Sequence, residues 1–124
     1  MVEKLAAKAK DSIAIYYISS DYTAEQMKSY CKEDIFIPVP FANVSERSAI
    51  KRHFKTCAKK EMQDIYLTER KSGTPTLIVL DPRNGSVVTT KGIDDCIKKD
   101  PAACVGGWKA SLYDLWYCTI GVFR

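Results

Sequence analysis

Hydrophobic residues fall into two kinds of pattern along this chain. Thr76-Leu77-Ile78-Val79-Leu80 is an almost unbroken apolar run, with Gly73 and Pro75 just before it and Asp81-Pro82 just after. Such a run, rich in branched side chains and bounded by turn residues, predicts a strand buried on both faces. Asp81 to Gly85 is a turn signal, and the β-branched stretch Ser86 to Thr90 predicts the returning strand of a hairpin. Ile13 to Ser19 is a second nearly continuous apolar run and predicts another interior strand.

Elsewhere the apolar positions recur at helical spacing. Val2, Leu5, Ala6 and Ala9 share one face of Met1 to Lys10. Thr23-x-x-Gln26 fits a capping box, opening a helix that turns Ala24, Met27 and Cys31 inward. Pro38 and Pro40 enforce extended backbone around Ile35 to Phe41. Ser45 is the next N-cap candidate, and Ile50, Phe54, Cys57, Ala58 and Ile65 carry a helical period into the middle sixties. Ile93 to Lys99 reads as a short helix before Asp100-Pro101. The tail is two-sided: Ser111 to Tyr117 has helical spacing, whereas Trp116 to Phe123 has strand character. The order is helix–strand–helix–helix–strand–strand, an α/β layer fold in one domain, residues 1–124.

Composition narrows the function classes. A chain of 124 residues, 46% apolar and 27% charged, can bury a core without disulfides or metal. No apolar run approaches the roughly 20 residues that span a bilayer, and no signal-peptide pattern opens the chain. The reading is therefore a cytoplasmic protein with no membrane partner. The net charge of +4 comes from lysines scattered among acids, which argues for a solvated surface rather than a nucleic-acid interface.

Five cysteines, Cys31, Cys57, Cys96, Cys104 and Cys118, make an odd count with no pair at C-x-x-C spacing. Reduced, unreactive thiols are the reading, with Cys31 and Cys57 on buried helix faces. With His53 the only histidine, a zinc site would have to be assembled from scattered cysteines, so neither a metal nor a cofactor is expected. His53 itself, beside Phe54, reads as a surface residue.

Several segments in order resemble the tryparedoxin and nucleoredoxin branch of the thioredoxin superfamily. Ile15 to Asp21 is similar to that family's strand ending in Ser-x-Asp. Phe36-Ile37-Pro38-Val39-Pro40-Phe41 is similar to its Trp-Leu-x-Val-Pro-Phe, and Gly73-Thr74-Pro75-Thr76-Leu77-Ile78 to its Gly-Ile-Pro-Thr-Leu-Ile. Asn84 to Thr90 resembles Ser-Gly-x-Val-Val-Thr-Thr, and Lys99-Asp100-Pro101 to Trp108 its closing stretch. The resemblance covers about residues 2 to 109, leaving 110–124 as an extra C-terminal segment. It implies a thioredoxin-like mixed sheet flanked by helices, N-terminally truncated.

Two departures shape what the resemblance implies for function. The Trp-Cys-Pro-Pro-Cys redox motif is absent, and with the strand before it would lie upstream of Met1. Thiol–disulfide exchange needs an activated thiolate and a resolving thiol close behind it, so no catalytic residue is assigned. The interval from Phe54 to Gly73 is also longer than the family's by about three helical turns, so Lys55 to Arg70 would extend a helix or protrude beside Pro75.

What survives, by resemblance, is a substrate-binding edge. Pro75 would be cis, and the backbone of Thr74 would bond an extended substrate segment, with Ser20 and Asp21 at the neighbouring strand end. The resemblance thus implies a redox-inactive module that binds a protein or peptide or associates with itself. The alternative is a thiol–disulfide oxidoreductase that is truncated or works through other cysteines.

Loss of the strand before the motif would leave a slot between Ile13–Ser19 and Thr76–Leu80. The two strands could close up, a partner or second copy could donate a strand by exchange, or Trp116 to Phe123 could fill it.

Overall fold

The computed structural model describes residues 5, 13–34, 36–110 and 118–123. The predicted helix over Met1 to Lys10 lies outside the described residues apart from Leu5, which is helical and fully buried. The helical spacing of Ser111 to Tyr117 also falls outside them.

The elements are β1 (Ile13–Ile18), α1 (Ala24–Tyr30), β2 (Ile37–Pro38), α2 (Val44–Phe54), β3 (Thr76–Leu80), β4 (Val87–Thr89), α3 (Gly92–Lys98), α4 (Pro101–Ala110) and β5 (Cys118–Phe123). A short 3₁₀ turn, Lys59–Glu61, lies between α2 and β3. The strands form one mixed sheet in the order β2-β1-β5-β3-β4, flanked by helices as the apolar patterning predicts.

β5 occupies the slot between β1 and β3. It runs parallel to β1, from Ile13↔Cys118 to Ile18↔Phe123, and antiparallel to β3, from Thr76↔Phe123 to Leu80↔Thr119. Both strands thereby have their inward-facing N–H and C=O groups paired, which an apolar interior requires. β2 is a two-residue parallel edge on β1, short because Pro38 and Pro40 bring no amide hydrogen.

The alternation of side chains along the strands defines two faces. Ile13, Ile15 and Tyr17 of β1 join Leu77 and Val79 of β3 in the larger core, covered by Leu5, Met27, Cys31, Phe36 and, from α4, Cys104, Val105 and Trp108. On the other face Ile18, Ile78 and Val39 pack beneath Ile50 and Phe54 of α2. The α2 face is only partly covered. A cavity of about 380 Å³ opens there, with Tyr16, Ile18, Ile78 and Leu80 as its floor. Gly121 stands in register between Tyr16 and Ile78, so β5 contributes no side chain at the centre of that floor.

Local signals explain most element boundaries. The Thr23 hydroxyl accepts from the Gln26 amide, and Gln26 Oε1 accepts from the Tyr22 amide. Asp100 caps α4 through the Ala103 amide, with Pro101 in the first helical turn, where its missing N–H costs nothing.

The expected helix from Ser45 to the middle sixties needs correction at both ends. Asn43, not Ser45, is the N-cap: its Oδ1 accepts from the Glu46 amide and its Nδ2 donates to Glu46 Oε2. The helix stops at Phe54 because Lys55 turns into the left-handed region, φ 50°, and its N–H bonds back to Arg52 and Lys51 carbonyls. Cys57 is buried, but beyond the helix rather than on it.

Candidate functional site

Residues 55 to 72 form a closed excursion rather than a longer helix. A bridge pairs Thr56 with Ser72 at its base, where the Cys57 amide donates to Ser72 O and the Lys71 amide to Lys55 O. The excursion folds back over the end of β1. Glu61 meets Lys51 of α2 at 2.5 Å. Lys60 stacks its ammonium 3.5 Å from the centre of the Tyr22 ring, and Arg52 donates to Ile65 O.

Two cations of α2 are buried at this corner, Arg47 at 9% exposure and Lys51 at 3%. Both donate to the Ser19 carbonyl, Lys51 at 2.7 Å and Arg47 at 3.3 Å, and Arg47 also clamps Phe41 O while lying over the Phe41 ring. Burial pushes the Lys51 ammonium below its ordinary range, and the Glu61 carboxylate opposes that shift. Neither cation was legible in the sequence, because a helical lysine and arginine among polar neighbours look like solvated residues.

The four residues singled out from the sequence lie at one end of the sheet. Thr76 and Ile18 both pair with Phe123, so Thr74-Pro75 and Ser20-Asp21 flank the end of β5 about two strand spacings apart, roughly 10 Å. On one flank, Ser19 Oγ donates to Asp21 Oδ2 at 2.8 Å and accepts from the Asp21 amide, which fixes that half-buried carboxylate. Ser20 is buried, and its hydroxyl has no hydrogen-bond partner among the described residues.

On the other flank Thr74 and Pro75 are exposed, and the bond between them is cis. Thr76 Oγ1 donates to Gly73 O and fixes the entry to β3. Among the described residues no hydrogen bond engages the main chain of Thr74. Beside Pro75 opens a groove of about 390 Å³, walled by Thr56 and Ser72 of the excursion, by Pro75 and Thr76, and by Thr90 and Ile93. Lys71, Lys91 and Asp94 also line it. Ser20 and Asp21 do not reach this groove.

One wall depends on an unusually close approach. A Cβ on Gly92, the first residue of α3, would lie 2.8 Å from the Leu77 carbonyl oxygen. Only glycine lets α3 sit on β3 at this distance and bring Ile93 to the groove.

None of the four cysteines whose side chains are described is an activated thiol. Burial raises the pKa of Cys31, Cys57 and Cys104, and lifts Cys96 to about 11 with Cys104 as the second cause. Among the described residues no group of three potential ligands could hold a metal ion, and no helix is long and apolar enough to cross a membrane. His53 is exposed, edge-on to the Phe54 ring.

A family model described as thioredoxin-like matches residues 1–87. The chain is similar to nucleoredoxin of Mus musculus, 32% identical over 85 residues, which is 68% of this chain and 16% of that protein. The chain thus aligns with about a sixth of the length of that relative. No solved structure matches.

Proposed function

The chain belongs to the thioredoxin-like family, and on that premise we propose a tryparedoxin-like module that holds an extended protein or peptide segment at the Thr74-Pro75 edge without dithiol catalysis there. One observation carries this reading: exposed Thr74, whose main chain has no hydrogen-bond partner among the described residues, directly precedes Pro75, which lines a groove of about 390 Å³. Main-chain groups at a strand entry supply affinity for an extended ligand, and a flanking groove supplies side-chain selectivity. The four cysteines with raised pKa values offer no nucleophile poised for exchange at pH 7.

Selection of peptides from a random display library against the full reduced chain, followed by fluorescence polarisation, tests this. Thr90→Trp fills the groove from an exposed position, and should weaken binding at least tenfold while the melting curve stays in place. Binding indifferent to that change would remove the groove from the reading.

Similarity to nucleoredoxin favours a second reading, a thiol–disulfide oxidoreductase that is part of a longer protein or works through cysteines outside the usual motif. Insulin reduction with dithiothreitol separates the two. Acceleration abolished by Cys→Ser changes would establish the oxidoreductase and refute the inactive module.

A further inference from the structure

The groove beside Pro75 carries positive charge on two opposite sides. Lys71 stands on the excursion wall and Lys91 in the turn between β4 and α3, and both residues are exposed. Their main chains are pinned. The Lys71 amide donates to Lys55 O at 2.7 Å, and the Lys91 amide to Thr89 Oγ1 at 3.0 Å. Each ammonium therefore moves on its own stem but stays tethered to its side of the groove.

A third cation adjoins the Thr74-Pro75 edge. The Arg70 guanidinium lies against Gly73, with Nη1 2.9 Å from where a Cβ on that glycine would be. It is held there by donating to the Cys57 carbonyl at 3.0 Å. Against these three cations the groove lining offers one carboxylate, Asp94 in the first turn of α3. Pro75, Ile93 and Phe54 add apolar surface between the charged sides. These groups come from separate stretches of the chain, brought together by the Thr56–Ser72 bridge and by the close seat of α3 at Gly92.

We infer that the segment held at the Thr74-Pro75 edge is acidic: an extended peptide carrying both an aspartate or glutamate and an aliphatic or aromatic residue. Its carboxylate goes to Lys71 and Lys91, and its apolar side chain to Pro75 and Ile93. This rests on the peptide-holding reading of that edge and adds to it the class of peptide. Exposed charges govern the choice of partner more than raw affinity, so the signature is a preference that inverts when the charges are inverted.

Peptides selected from a random display library against the full reduced chain provide the test. Aspartate and glutamate should be enriched over asparagine and glutamine among the binders. The best binder, labelled with fluorescein, is then followed by polarisation. Its affinity should fall about tenfold when its acidic residue is replaced by the amide, and should also fall as sodium chloride is raised from about 50 to 500 mM. Lys71→Glu with Lys91→Glu changes two exposed side chains and leaves the backbone bonds in place, so the melting curve should hold. In that variant the peptide with lysine in place of its acid should bind tighter than the original. Lys71→Gln with Lys91→Gln adds no new charge and should abolish the preference for acid over amide. Binding that Thr90→Trp weakens but that shows no acidic preference would overturn this inference and leave the peptide-holding reading standing. Selection of no peptide, or binding indifferent to Thr90→Trp, would remove both. Equal competition by tripolyphosphate, which offers charge without an extended main chain, would also overturn the inference.

Discussion

The Lys51 ammonium is held 2.5 Å from Glu61 Oε1, joining the middle of α2 to the excursion that folds over the end of β1. The lysine side chain is 4% exposed and the glutamate 13%. With Arg47 buried beside them, the corner holds two cations against one carboxylate, and Glu61 is the group that makes the burial tolerable. Glu61→Gln should cost about 3 kcal/mol, the scale for removing one partner of a buried pair. The double change Lys51→Met with Glu61→Gln should recover part of that loss, because no charge of the pair is then left uncompensated. Urea unfolding of the three variants measures both quantities, and a Glu61→Gln loss under about 0.5 kcal/mol would mean the pair is solvated.

Interrupting β5 should affect both halves of the sheet at once. Ile120 stands in register with Ile15 on one side and Val79 on the other. Ile120→Pro removes an amide hydrogen from the middle of the ladder, where proline is not tolerated. Loss of the cooperative thermal transition, or aggregation, is the expected result, and removal of residues 111–124 should do the same. A chain that exchanges β5 with a second copy would keep the same pairing, so sedimentation velocity of the intact protein distinguishes a monomer from a strand-exchanged dimer.

Gly92→Ala should destabilise by about 1–3 kcal/mol, the usual cost of overpacking. The atom in the way is a backbone oxygen of β3, which cannot swing aside as a side chain could. The helix propensity of alanine would favour the substitution by about 1 kcal/mol, so a net gain in stability would show that α3 lifts off the sheet easily. A loss accompanied by weaker peptide binding is the expected pattern, because α3 carries Ile93 into the groove.

The turn after β3 sets part of the acid limb of stability. The Arg83 guanidinium bonds both carboxylate oxygens of Asp81, and the Arg83 amide bonds one of them. These bonds hold the Asp81 pKa below its ordinary value of 3.8. A carboxyl depressed on folding contributes stability that is full above its unfolded pKa and is lost as pH falls through the folded one. Asp81→Asn should therefore flatten the pH dependence of the melting temperature below about pH 4 while leaving its slope near neutrality unchanged.

The legible parts of this fold are those where one physical effect dominates. Thr76–Leu80 and Ile13–Ile18 are read directly from apolar runs, since a strand buried on both faces has nowhere to place polar side chains. α1 is read from its capping residues. α4 escaped the sequence reading because Gly106-Gly107 weakens the helical signal. The cue lay in Asp100-Pro101 at its start and in Cys104, Val105 and Trp108 on one face. The end of α2 was misplaced for another reason: the apolar period continues through Cys57 and Ile65, which are buried after the chain has turned away at Lys55. Periodicity reports burial, not continuity of the helix. In the candidate site, Thr74, Pro75, Ser20 and Asp21 all rest on the family resemblance. The cations over Ser19 depend on contacts that join three separate segments, which no single stretch of sequence contains.

The central position of β5 has a consequence for how the protein is made. Of the five described strands it leaves the ribosome last, and it pairs with the first of those five to emerge. Until residues 118–123 are synthesised, β1 with β2 and β3 with β4 are two separate ribbons with bare inner edges, each open to pairing with any exposed strand nearby. The sheet is thus finished after translation has passed it rather than built up as the chain appears, and closure must wait for contacts spanning nearly the entire sequence. A nascent chain stalled before β5 is the form in which this protein is most vulnerable to capture by chaperones or by its own copies.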